Sequence, residues 1–185
     1  MRVTVAKFAV VLLCLTLLSG CLHSEKTESR LVLTPAGGEI HVTYSGWKSD
    51  ETDPEKIKKD FEDLVEKFAT PQYEKDLSDQ GIYLLDKKIY LRTDGKINSE
   101  YRGLVTQYAL EHNLGLRRSN GERIFVQEMG MGAKVTSNGK ILSTEKNTLI
   151  VWPESADTLT LSVVYDDVIK LKDTLLPLYK AWEKK

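Results

Sequence analysis

The sequence predicts an α+β fold: an antiparallel, mostly meander sheet packed on one face by two or three helices, including a long C-terminal helix. Three observations predict it. Apolar and polar residues alternate through 39–44 and through a series of short runs between 123 and 165, the two-residue period of half-buried strands. Ile57, Phe61, Leu64, Val65 and Phe68 recur at helical spacing behind a capping signal. Val168, Leu171, Leu175, Leu178, Tyr179 and Trp182 form a second such stripe at the far end of the chain.

Residues 31–34 and 39–44 flank Pro35-Ala36-Gly37-Gly38, a turn-rich connector that reads as a hairpin. In its second strand Ile40, Val42 and Tyr44 share one face, and Glu39, His41 and Thr43 share the other, so the sheet has a wet face. Asp53 caps the first helix and Pro54 sits in its first turn, where a missing N–H costs nothing. Thr70-Pro71 ends it, because the residue before proline avoids the helical basin. Residues 72–80 are polar and fit one or two further helical turns. Strands over 82–85 and 89–92 follow, and Asp94-Gly95 signals a tight turn.

Over 99–112 the positions of Tyr101, Leu104, Val105 and Tyr108 suit a helix stopped by Gly115. Gly103 disfavours a helix interior, and a strand through 104–110 is the alternative. A meander follows, with strands at 123–128, 133–136, 140–143, 149–152 and 158–165. Asn138-Gly139 is its strongest hairpin signal. The closing helix starts at Asp166 or Asp167, and Pro177 predicts a kink or restart near Thr174. This element order resembles the helix-grip, START-like layout, in which a long C-terminal helix lies across a sheet and can enclose an apolar cavity.

The N-terminus carries an address. Arg2 and Lys7 make a positive start, and residues 8–18 form an apolar run of eleven. That run is too short for a hydrocarbon core, which takes about 20 helical residues. Residues 1–20 read as a secretory signal peptide. The tetrad Leu18-Ser19-Gly20-Cys21 resembles the lipobox of bacterial lipoproteins. That resemblance implies cleavage before Cys21, lipidation of its thiol by a diacylglycerol, palmitate-class acylation, and membrane lipid as a partner. Leu22, where an aspartate would favour the inner membrane, implies passage to the outer membrane in a Gram-negative host, and the cell membrane otherwise. Two or more acyl chains hold firmly where one binds marginally, at about 0.8 kcal/mol per buried methylene. Residues 21–30 read as the lipidated cysteine and a flexible tether, since 23–30 are polar with nothing to bury. Residues 31–185 read as a single α+β domain.

Composition excludes several classes. Removing the signal leaves 24 Lys and Arg against 27 Asp and Glu, a balance without the basic face that nucleic acid requires. Cys14 leaves with the signal and Cys21 is the acylated residue, so neither a disulfide nor thiol catalysis is expected. His23, His41 and His112 are too scattered to supply the close ligands of a zinc site, so no metal and no cofactor is expected. No Gly-x-Ser-x-Gly elbow occurs, and Gly130-Met131-Gly132 lacks the third glycine of a dinucleotide loop. Asp50, Glu51, Asp53, Glu154, Asp157, Asp166 and Asp167 lie at element ends, where paired carboxylates for glycoside hydrolysis would have to converge. Trp47 and Trp152 end strands, where an aromatic covers a sheet edge or stacks on a sugar.

These features point first to a non-enzymatic lipoprotein of the bacterial cell envelope that binds or scaffolds an envelope protein or ligand from the periplasmic or outer face of its membrane. A hydrophobic-ligand carrier is the second reading, with Phe61, Phe68, Leu175, Tyr179 and Trp182 lining a cavity between sheet and helices. A carboxylate-based envelope hydrolase is the third.

Overall fold

The computed structural model describes residues 22–128, 133–143 and 147–184. The signal segment, Cys21 and Gly130-Met131-Gly132 lie outside them. The fold opens with two 13-residue strands, β1 (Leu22–Thr34) and β2 (Gly37–Ser49), paired antiparallel from Leu22↔Ser49 to Thr34↔Gly37. Helices α1 (Pro54–Ala69) and α2 (Gln72–Asp79) follow, then β3 (Ile82–Leu91) and β4 (Ile97–Thr106). After a π-helical turn (Ala109–Asn113) come β5 (Arg117–Ser119), β6 (Glu122–Glu128), β7 (Ala133–Ser137), β8 (Lys140–Ser143), β9 (Asn147–Pro153) and β10 (Thr158–Tyr165). Two short helices, α3 (Asp166–Ile169) and α4 (Leu176–Trp182), close the chain.

The α+β class stands, but the strands form two sheets rather than one meander. A six-stranded sheet has the order β3-β4-β2-β1-β10-β7, and a four-stranded sheet has the order β5-β6-β9-β8. Helix α1 begins as its sequence dictates. Asp53 accepts a hydrogen bond from the Glu55 N–H at 2.9 Å, and the Thr70 N–H closes the last turn onto Glu66. Its stripe of Phe61, Leu64 and Phe68 is buried.

One face of the large sheet carries the whole interior. Directly opposed strand residues share a face, so the register Ile40↔Leu31↔Leu159 sets one continuous apolar surface across β2, β1 and β10. Helices α1, α2 and α4 cover its β2–β4–β3 half with Leu64, Phe68, Leu77, Leu175 and Tyr179. The small sheet covers the β1–β10 half with Ile150 and Trp152.

The structure overturns four expectations. Residues 23–30 are not a tether: they form most of β1, an inner strand bonded to β2 on one edge and to β10 on the other. Three of their polar side chains are buried and partnered, Ser24 with Thr27 at 3.1 Å and Glu25 with two lysines. The segment 99–106 is strand β4, not helix. Tyr101 and Val105 face the core at a two-residue period while Arg102 and Leu104 are exposed, and only the short π-helical turn survives of the expected helix. The long C-terminal helix is absent. Pro177 falls in the first turn of a new helix, α4, and residues 170–175 between α3 and α4 are not helical.

Fourthly, Asn138-Gly139 is a corner and not a hairpin turn. The chain leaves the large sheet at β7 and enters the small one at β8, so the two strands pair with β10 and β9 instead of each other. The Asn138 side chain fastens this corner. Its Oδ1 accepts from Trp152 Nε1 at 2.8 Å and from the Thr160 N–H at 2.9 Å, and its Nδ2 donates to the Thr158 carbonyl at 2.8 Å. A Cβ at Gly139 would lie 2.7 Å from Trp152 Nε1, so the close approach needs glycine. An unpaired donor costs about 1–3 kcal/mol. Asn138→Ala is therefore expected to lower the unfolding free energy by about 2–3 kcal/mol in urea titrations. Asn138→Asp, which keeps the acceptor, is expected to cost less.

Candidate functional site

Helices and the small sheet share one face of the large sheet, and among the described residues neither covers the opposite face. There residues of β2, β1, β10 and β7 line a polar trough of about 430 Å³, within the range of small-ligand sites. Its floor is Glu28 and Arg30 of β1 with Thr160 and Ser162 of β10; His41 and Thr43 stand on one side, and Thr136 and Asn138 on the other.

Two rows cross the strands. Thr43, Glu28, Ser162 and Thr136 are opposed in register, and two residues along His41, Arg30 and Thr160 are opposed. Glu28 is matched by Lys26 at 2.7 Å. The Arg30 side chain is exposed and has no ion pair or hydrogen bond among the described residues. His41 Nε2 has no hydrogen bond and lies 3.8 Å from Glu100 Oε2. Burial pushes the Glu100 carboxyl upward, but the Lys88 ammonium at 3.0 Å, the nearby His41 and the Tyr90 hydroxyl outweigh it and hold it below its ordinary value.

An apolar recess of about 80 Å³ lies on the core side, where the two halves of the interior meet. Leu31, Val42, Tyr101, Leu110, Phe125 and Trp152 are among its walls. The Ser29 hydroxyl is buried there without a hydrogen-bond partner. Pockets for small organic ligands run to about 300–1,000 Å³. The recess has room for one small group, not for an acyl chain.

The residues expected to line a lipid cavity lie elsewhere. Phe61, Phe68, Leu175 and Tyr179 are packed in the core beneath the helices, Trp182 packs at its margin against Tyr179, and none of the five borders the recess. Cys21 lies outside the described residues; β1 begins at the next residue, Leu22, which is 6% exposed. Trp47 and Trp152 are each 3% exposed, so both are core residues rather than sugar platforms. Trp47 Nε1 donates to Ser99 Oγ at 2.9 Å.

The acidic candidates disperse. Asp50 pairs with His23 at 3.4 Å, Glu51 with Lys56, Glu154 with Arg118 and Asp166 with Lys134, while Asp53 caps α1 and Asp167 pairs with Lys170. His112 stacks on Tyr108, and no group of three His, Cys, Asp or Glu converges among the described residues. Arg30, Thr160 and Ser162 carry no functional signal in the sequence. Arg30 meets His41 through the β1–β2 pairing, and Thr160 and Ser162 join them only because β10 pairs with β1, some 130 positions earlier in the chain.

Below the trough, at the Leu22 end of β1, the ordered carboxylate of Glu25 sits between Lys48 at 2.9 Å and Lys96. Lys48 also donates to the Ile169 and Leu171 carbonyls at 3.0 and 2.7 Å, so the network clamps the segment after α3 onto β1 and β2. Gly46 has φ +69°, and a Cβ on it would lie 2.6 Å from the Glu25 carboxylate; no other residue satisfies both demands. No family model matches the chain, and no curated protein matches it in sequence.

Burial would raise the Glu25 carboxyl, but hydrogen bonds from Lys96 and Lys48, and their charges, hold it below the ordinary 4.5. A depressed carboxyl stabilises the fold above its unfolded value and loses that contribution as pH falls through the folded one. The stability gap between the protein and Glu25→Gln is thus expected to be widest above pH 4.5 and to narrow in acid, measured by urea unfolding across pH. Lys48→Met, which leaves the carboxylate with Lys96 alone, is expected to destabilise the fold at neutral pH by less than the ~3–5 kcal/mol of a fully stranded buried ion.

Proposed function

We propose that this protein is a lipid-anchored, non-enzymatic binding module of the bacterial cell envelope, attached through Cys21 and recognising its ligand through the polar trough. The trough carries the binding part of this reading: it pairs ligand-sized volume with an unpaired guanidinium, that of Arg30. Its lining includes one carboxylate, Glu28, where glycoside hydrolysis works with two. The small apolar recess gives a lipid carrier little support.

The anchor rests on the charged start, the short apolar run and the Leu18-Ser19-Gly20-Cys21 tetrad. No helix among the described residues is long and apolar enough to cross a membrane. Acylated Cys21 would precede β1 without an intervening tether, fixing one end of the large sheet at the bilayer. The other end of β1 then stands as much as roughly 40 Å away, at about 3.3 Å per residue. In a Gram-negative host the expected site is the outer membrane, and otherwise the cell membrane.

Metabolic labelling with palmitate tests this. The protein is expected to take up label and partition into detergent, whereas Cys21→Ala is expected to stay unlabelled and unprocessed. Cys21→Ala protein of normal mature mass would refute the lipidation.

A further inference from the structure

Resting on the binding reading above, we infer that the trough takes an acidic saccharide, with the sugar carboxylate on Arg30 and its hydroxyls on the opposed Thr43, Ser162 and Thr136 row. The charge pattern sets the class. Of the two ionised side chains in the lining, Glu28 is already matched by Lys26, and Arg30 is not matched at all. One negative charge on the ligand completes the trough. Arg30 is flanked in register by His41 on β2 and by the Thr160 hydroxyl on β10, so a carboxylate placed there meets the guanidinium with polar side chains on either side. The planar guanidinium fork matches a carboxylate with two parallel hydrogen bonds.

The rest of the ligand must be hydroxyl-rich. The hydroxyls of Thr43, Thr136 and Ser162 have no hydrogen-bond partner among the described residues, and each both donates and accepts, as a sugar hydroxyl does. Four adjacent strands make the floor about 14 Å across at roughly 4.8 Å per strand. The two rows lie about 7 Å apart, two residues along each strand. A charged group in one row and a ring bearing hydroxyls in the other fit that spacing. Apart from His41 the lining offers no aromatic ring on which a nucleobase would stack, and only Leu161 is apolar.

Calorimetric titration of the detergent-solubilised protein with digalacturonate, and with its uncharged counterpart galactobiose, tests the inference. Digalacturonate is expected to bind at least tenfold more tightly than galactobiose and to shift the amide resonances of Thr43 and Ser162. Arg30→Met is expected to lose at least tenfold in digalacturonate affinity, and Arg30→Lys to recover part of it, with the melting temperature unchanged because Arg30 is exposed and unpaired. Absence of digalacturonate binding, equal binding of galactobiose, or full affinity in Arg30→Met would overturn the acidic-saccharide assignment. Acetate competing as well as digalacturonate would overturn the role of the hydroxyl row. Palmitate labelling reads out separately, so failure here with lipidation intact removes this ligand class and leaves the anchored module standing.

Discussion

The Glu25 carboxylate, held by Lys48 and Lys96, is the contact on which the rest of the architecture leans. It joins the first turns of β1 to the end of β2 and to the approach to β4, and Lys48 extends the connection to the carbonyls of Ile169 and Leu171. Four stretches of chain that are remote in sequence meet at one buried charge. Such a group is tolerated only when its partners are in place, because an uncompensated buried ion costs several kcal/mol. The network therefore selects this register and this path for the C-terminal segment over others of similar apolar burial. Neighbouring polar pairs act in the same direction: Asn98 bridges the Gly46 N–H and Ser45, and Ser49 donates to Asp60 of α1.

With β1 fixed as an inner strand, the two halves of the interior follow. Helices and the small sheet compete for the same apolar face, and each covers half of it. The join between them is imperfect and leaves the small apolar recess. The other face carries the hydroxyls of Thr43, Thr136 and Ser162 with exposed Arg30, and these line the trough. Recognition on the wet face and packing on the dry one are thus two consequences of one strand order.

Local signals in the sequence were legible where local forces decide. Asp53, Pro54 and the stripe from Ile57 to Phe68 mark the start and the buried face of α1 within one short stretch of sequence. The alternation near 123–165 places most strand limits of β6 to β10 within a residue or two. Pro177 marks the break before α4. Long-range pairing was not legible. The polarity of residues 23–30 reads as solvated only until Glu25 is known to meet Lys96, 71 positions away. Tyr101, Leu104, Val105 and Tyr108 satisfy a helical period, but Ile97, Ser99, Tyr101 and Val105 satisfy an alternating one, and pairing with both β2 and β3 decides for the strand. Asn138-Gly139 has the chemistry of a hairpin turn and is used for a corner, because Trp152 and Thr160 claim the asparagine side chain. Of the trough, only the wet-face alternation of His41 and Thr43 was visible, since residues 23–30 did not read as strand and β10 adds Thr160 and Ser162 from far along the chain.

Everything about how this domain would sit on a bilayer follows from residues 23–30 being ordered sheet instead of slack chain. Amide hydrogen exchange over that segment is the most direct measurement. The structure predicts protection comparable to that of β2 residues 40–44, reached only by global opening. Exchange at the rate of free peptide across 23–30, with β2 still protected, would contradict it.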